Sequence, residues 1–196
     1  MALRVAHQWC SARLSCSCRF IEYGSDSARG FNFLVMSLLG DNLLRLRRRR
    51  RGSKFSLTTV LRFGLQAIRA LQGMHDAGYI HRDVKPSNFA IGASASKQST
   101  VYLIDFGLAR MYRSKEGQVL PARSGVRGFR GTPRYASLNV HNNLDLGRRD
   151  DLWSLLFILV VRRTTRSQSM RSSLSRSSVS ANCLGAASRR KRTSRA

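Results

Sequence analysis

Acidic residues are scarce in this chain, and they stop early. Ten Asp plus Glu face 35 Lys plus Arg over 196 residues, a net charge of +25, and none of the ten lies beyond Asp151. Residues 162–196 carry ten basic side chains and no acid, so this tail contributes +10 and the rest +15. Such a balance favours polyanions: nucleic acid, anionic membrane or acidic protein. A basic solvated surface followed by a disordered tail reads the same way. Cysteine is sparse too. Cys10, Cys16, Cys18 and Cys183 make no disulfide framework, and the C-x5-C-x-C cluster near His7 has no second ligand pair at zinc-finger spacing. Reduced thiols are the expectation. Long apolar runs are missing as well. LLFILVV (155–161) is seven residues, too short to span a bilayer, and residues 1–20 hold no run of signal-peptide length. A soluble intracellular chain is expected.

What is present is patterned between residues 18 and 161. CRFIEYG (18–24) and FNFLVMSLLG (31–40), separated by a polar link, predict strand–turn–strand. LLRLRRRRRGS (43–53) begins as a helix and ends in an arginine run. SLTTVLRFGLQAIRALQGMHDAG predicts the best helix, with Ser56 as N-cap and Gly78 as stop. Its residues Leu57, Val60, Leu61, Leu65, Ile68, Leu71 and Met74 fall at helical spacing and predict one core-facing stripe. FAIG (89–92) and VYLID (101–105) read as short strands. RRDDLWSLLFILVV (148–161) reads as a helix buried on most sides. From Arg162 the pattern gives way to Arg/Ser-rich low complexity.

One stretch carries chemistry. HRDVKPSN (81–88) is followed 17 residues after Asn88 by DFG at Asp105. Phosphoryl transfer needs an in-line nucleophile, metal ions over the phosphates and a carboxylate for the hydroxyl proton. Asp83 can accept that proton. Lys85, two residues on in an extended loop, can neutralise charge on the transferred phosphate. Asn88 and Asp105 offer hard oxygen ligands to magnesium. Gly107 is free to make a sharp turn.

With PSNFAIG (86–92), GFRGTPRYAS (128–137) and GRRDDLWSL (147–155), these motifs resemble a protein kinase of the casein kinase 1 group. DDLWSL rather than DDLESL is similar to the tau-tubulin kinase branch. Ser137, Leu138 and Asn139 stand where most kinases have A-P-E, as in that group. The resemblance implies an α+β, protein-kinase-like fold: mostly the α-helical C-terminal lobe, with a remnant of N-lobe strands. It divides the chain into a leader (1–17), a partial kinase domain (18–161) and an Arg/Ser-rich disordered tail (162–196). It implies ATP and Mg2+ as cofactors and protein Ser/Thr as substrate, including acidic or pre-phosphorylated proteins. Asp83 would be the catalytic base, Lys85 the phosphate contact, and Asn88 and Asp105 the magnesium ligands. Met36 would gate the adenine pocket, Leu38 and Leu39 form the hinge, and Ala90 and Ile104 the floor. Arg134 would belong to a substrate anion pocket. His81 would pack in the core and Arg82 tie down the activation segment. Asp151 would fix the backbone of the HRD loop from a buried helix, with Trp153 packed beside it.

Other family features are not in these residues. Among the 15 glycines no pair is spaced i, i+2, so there is no G-x-G-x-x-G loop. No lysine precedes Lys54, and Glu22, the only glutamate before it, sits in a strand-like run. The leader and the change at Arg162 read as a frameshift, a retained intron or a truncated gene model. A genuine tail binding RNA or protein is the alternative. If nothing covers the 148–161 helix, Leu155, Leu156, Ile158 and Leu159 would form an exposed patch. Three functions follow: a Ser/Thr kinase impaired by the missing groups, a non-catalytic kinase-like scaffold, or a polyanion binder using Arg47–Arg51 and the tail. The third would bind nucleic acid only non-specifically, since neither basic stretch holds stacking aromatics. A cytoplasmic location is expected; read as a nuclear-import signal, RRKR (189–192) would give a nuclear one instead.

Overall fold

A computed structural model describes residues 18–163 except 51, 53, 115 and 125–127; side chains are described up to residue 160. The leader, most of the Arg/Ser-rich tail and three of the four cysteines lie outside the described residues.

The predicted strand–turn–strand forms as β1 (Phe20–Asp26) and β2 (Phe31–Met36), an antiparallel pair with a bulge between Phe20 and Glu22. Asp26 closes the turn. Its carboxylate accepts the Arg29 N–H at 3.0 Å and its carbonyl the Gly30 N–H at 2.8 Å. β3 (Leu39–Asn42) leads directly into α1 (Leu43–Arg48), whose first turn is capped by the Asn42 side chain accepting the Arg45 N–H. Part of the arginine run is neutralised locally, because Arg45 and Arg49 both pair with Asp41.

α2 (Leu57–Asp76) is capped by Ser56, whose hydroxyl accepts the Thr59 N–H, and it ends before Gly78, at φ 88°. Its buried face differs from the expected stripe. Val60, Leu71 and Met74 are buried, but the other buried positions are Phe63, Gly64, Ala67, Ala70 and His75. Leu57, Leu61, Leu65 and Ile68 are exposed. The apolar positions form two stripes, and hydrophobicity alone does not say which one meets the core. The small residues Gly64, Ala67 and Ala70 decide it, because they let neighbouring elements approach closely.

After β4 (Tyr79–Ile80) come β5 (Phe89–Gly92), β6 (Val101–Leu103) and β7 (Arg110–Met111). β5 lies between β3 and β6 in an antiparallel sheet, and β4 pairs with β7. Gln66 ties α2 to this sheet, accepting the Val101 N–H at 2.9 Å and donating to the Ser99 carbonyl at 3.0 Å. Phe63 packs edge-on against Phe89, ring centroids 5.0 Å apart.

A short α3 (Leu138–His141) precedes α4 (Arg148–Arg163). α4 packs on α2 where Leu159 faces Gly64. The expected burial of α4 on most sides is corrected by the structure. Leu155 and Ile158 are buried in the core, whereas Leu152, Trp153, Leu156 and Val160 are exposed. Only one side of α4 meets the core. Trp153 correspondingly packs on Phe157, with centroids 5.9 Å apart, rather than inward beside Asp151.

Candidate active site

The 81–88 stretch forms a loop between β4 and β5, and buried polar bonds shape it. Asp151, in the first turn of α4, is buried. It accepts the His81 N–H on Oδ2 and the Arg82 N–H on Oδ1, each at 2.8 Å, and His75 Nε2 lies 2.9 Å from Oδ2. Arg82 sits at φ 67°, a left-handed conformation that costs a non-glycine residue of order 1–3 kcal/mol. The two charge-assisted bonds from Asp151 offset that cost.

His81 is buried against Phe106, ring centroids 5.7 Å apart. Burial lowers its pKa against the opposing charge of Asp151, so the ring stays neutral. A neutral ring matches its bonds: Nε2–H donates to the Ile104 carbonyl at 3.2 Å, and Nδ1 accepts the Asp83 N–H at 3.3 Å. Arg82 donates through Nε to the Leu108 carbonyl at 2.7 Å, which ties the loop to the residue after D-F-G. Burial lowers the Arg82 pKa most, followed by the charges of Arg123, Arg110 and Arg130.

Asp83 is held by two donors. Thr132 Oγ1–H donates to Oδ1 at 2.9 Å, and Lys85 Nζ donates to Oδ2 at 2.5 Å. The approach of Thr132 depends on Gly131, at φ 102°, where a Cβ would lie 3.0 Å from the Arg82 carbonyl oxygen. Asn88 donates Nδ2–H to the Asp83 carbonyl at 2.9 Å, which leaves the Asn88 amide oxygen as its ligand atom. The Ile104 N–H donates to the Asn88 carbonyl at 2.9 Å, which fixes the residue before Asp105 against Asn88. Asp105 is exposed and, at φ 66°, left-handed; one of its oxygens accepts the Gly107 N–H at 3.3 Å. An amide oxygen and an exposed carboxylate are hard donors that suit Mg2+, a cation that otherwise keeps waters and phosphate oxygens. The residues fit the ion. Among the described residues no cluster of three His, Cys, Asp or Glu offers a metal site.

The remaining expected residues lie on the strands and turns described above. Met36 ends β2 and Leu39 begins β3, both packed against the core, while Leu38 between them is 85% exposed. Ala90 is buried in the middle of β5, opposite Asn42 and Tyr102. Ile104 follows β6, partly buried. Arg134 is exposed in a single 3-10 turn, Pro133–Tyr135, directly after Thr132.

Some participants carry no motif and were not singled out from the sequence. His75 meets Asp151 across 76 positions of chain. Asp145 gathers Arg110, at 2.8 Å, and Arg123, at 3.1 Å. Burial pushes the Asp145 carboxyl up, but bonds from the Arg123 backbone and side chain and from Arg110 outweigh it, and its pKa is lowered to about 2. Thr132 lies inside the quoted GFRGTPRYAS, so the signal was there without its role.

The protein kinase domain family matches residues 18–189. The chain belongs to the protein kinase family. Among curated relatives of this kinase chain, a probable serine/threonine-protein kinase of Dictyostelium discoideum is 56% identical over 143 residues, 73% of the chain and 28% of the relative. A putative serine/threonine-protein kinase of Caenorhabditis elegans is 40% identical over 74% of the chain and 43% of the relative. A putative casein kinase I of the same nematode is 41% identical over 69% of the chain and 39% of the relative. The kinase chain thus spans less than half the length of these relatives.

Proposed function

We propose that this chain carries the catalytic loop of a Ser/Thr protein kinase of the casein kinase 1 group, closest to the tau-tubulin kinase branch. The observation that carries the reading is one arrangement: Asp83 held between Thr132 and Lys85, with Asn88 bonded to its carbonyl and to the backbone of Ile104, the residue before Asp105. Asp83 accepts the proton of a substrate Ser or Thr hydroxyl as it attacks the γ-phosphorus of ATP. Lys85, now paired with Asp83, lies where it can neutralise charge on the transferred group. Mg2+, held by Asn88 and Asp105, would neutralise the phosphates when bound. Met36, Leu38, Leu39, Ala90 and Ile104 are the proposed adenine contacts. Arg134 is proposed to select acidic or pre-phosphorylated protein substrates; its exposure on the turn after Thr132 supports this. The cytoplasm is the proposed location; the nucleus is the alternative, for which RRKR would serve as import signal.

These 196 residues contain no glycine loop and no strand lysine, and losing one phosphate contact of that kind typically costs about 3–4 kcal/mol of transition-state stabilisation. Slow turnover is the expected result. The test is phosphate transfer from Mg-ATP to a Ser-containing peptide by the chain and by Asp83→Asn. The substitution should lower the rate by at least about a hundredfold with little change in thermal unfolding. Equal rates, or no transfer by the unaltered chain, would leave the non-catalytic scaffold as the better reading.

A further inference from the structure

Asp150 is a carboxylate, 3% exposed, that the chemistry above does not use. As the third residue of α4 it has an ordinary task. Its Oδ2 accepts the Gly147 N–H at 2.8 Å, the reach-back bond of a capping box, and its charge suits a helix N-terminus. That task occupies one oxygen. Oδ1 accepts two further bonds, from the Ser137 hydroxyl at 2.6 Å and from Asn139 Nδ2–H at 2.9 Å. Ser137 is buried along with it. The segment these two residues belong to begins at Thr132, whose hydroxyl is 2.9 Å from Asp83 Oδ1, and it carries Arg134 on its turn. It is therefore fastened at both ends, to the base at one and to Asp150 at the other.

We propose that Asp150 is a positioning residue for the protein-substrate side of the site. Its Oδ1 holds residues 132–139 in register, and through Thr132 it holds the Asp83 carboxylate. Next to these bonds lies a cavity of about 440 Å³, bordered by Leu138, Trp153 and Phe157. A segment released from Asp150 has open space to move into. The effect on turnover rests on the kinase reading; the structural half does not.

Hydrogen–deuterium exchange on the full chain tests the structural half. In Asp150→Ala, amides of residues 132–144 should exchange about tenfold faster, while those of α2 are unchanged. Asp150→Asn, which keeps an acceptor oxygen for Ser137, should fall between. Acceleration confined to residues 148–151 would reduce Asp150 to a helix cap and overturn the proposal. Should Asp150→Ala not fold, Ser137→Ala leaves the Gly147 bond intact and must still speed exchange within 132–144; unchanged exchange there overturns the proposal equally. In phosphate transfer, Ser137→Ala should raise the peptide KM several-fold and leave the ATP KM alone, whereas an equal rise in both would count against it. A chain that transfers no phosphate would sink the kinase reading, while the exchange result stands on its own.

Discussion

The 81–88 loop is irregular chain and the β1–β2 hairpin a regular antiparallel pair, and the two are held in opposite ways. The loop hangs on one buried carboxylate: Asp151 accepts two consecutive backbone N–H groups and touches His75, and the left-handed Arg82 persists only within that grip. The hairpin is held by its own ladder and turn, and it leaves Ile21, Tyr23, Phe31 and Val35 exposed. Its link to the core runs through the partly buried Phe20, Leu34 and Met36. One region concentrates its geometry in a single group, while the other spreads it over pairs that can be replaced one at a time. Catalysis needs atoms placed to fractions of an ångström, and a charged buried acceptor supplies that where an exposed ladder does not.

Breaking the loop at its centre should have the largest effect. Asp151→Ala leaves two backbone donors and His75 without their shared acceptor inside the protein, and urea unfolding should show a loss of about 3–5 kcal/mol. A loss below about 1 kcal/mol would mean that water replaces the carboxylate and the contrast is false. Asp145 tests the same idea nearer the surface. Asp145→Asn should cost about 1.5–3 kcal/mol at neutral pH, because charge-assisted bonds to Arg110 and Arg123 weaken. The pH dependence has a fixed sign. The folded carboxyl titrates near 2, below its ordinary value of 3.8, so its contribution is full above about pH 4 and is lost as pH falls through 2. Thermal melts of the chain and of Asp145→Asn should converge over that window; parallel curves would refute the assignment. The hairpin should respond least. Val35→Thr keeps a β-branched residue at an exposed strand position, and its effect on unfolding should stay within about 0.5 kcal/mol. A larger loss would show that the hairpin's outer face is covered in solution.

Much of the site was legible in the sequence because its spacing is local. Asp83, Lys85 and Asn88 lie within one loop, and Asp105 follows a short strand pair, so chain geometry keeps them near each other. The Ser56 cap and the Gly78 stop were equally local. The contacts that were not legible join distant positions without a pattern: His75 with Asp151, Asp145 with Arg110, Thr132 with Asp83. The exposed stripe Leu57, Leu61, Leu65 and Ile68 shows the limit from another side. Helical periodicity gives the angle between residues, but the orientation of the helix comes from what packs on it.

The sequence by itself determined the element order, the caps, and the local spacing of the residues proposed for phosphoryl transfer, because turns, helix ends and loop spacing depend on neighbouring residues. Only the tertiary structure decided which face of each helix is buried and brought His75 to the Asp151 that holds the loop. It also showed that Asp150, one position away, turns its carboxylate to another partner. Successive residues on a helix point about 100° apart, so adjacent identical side chains reach different surroundings, and what they do there depends on the neighbours the fold supplies.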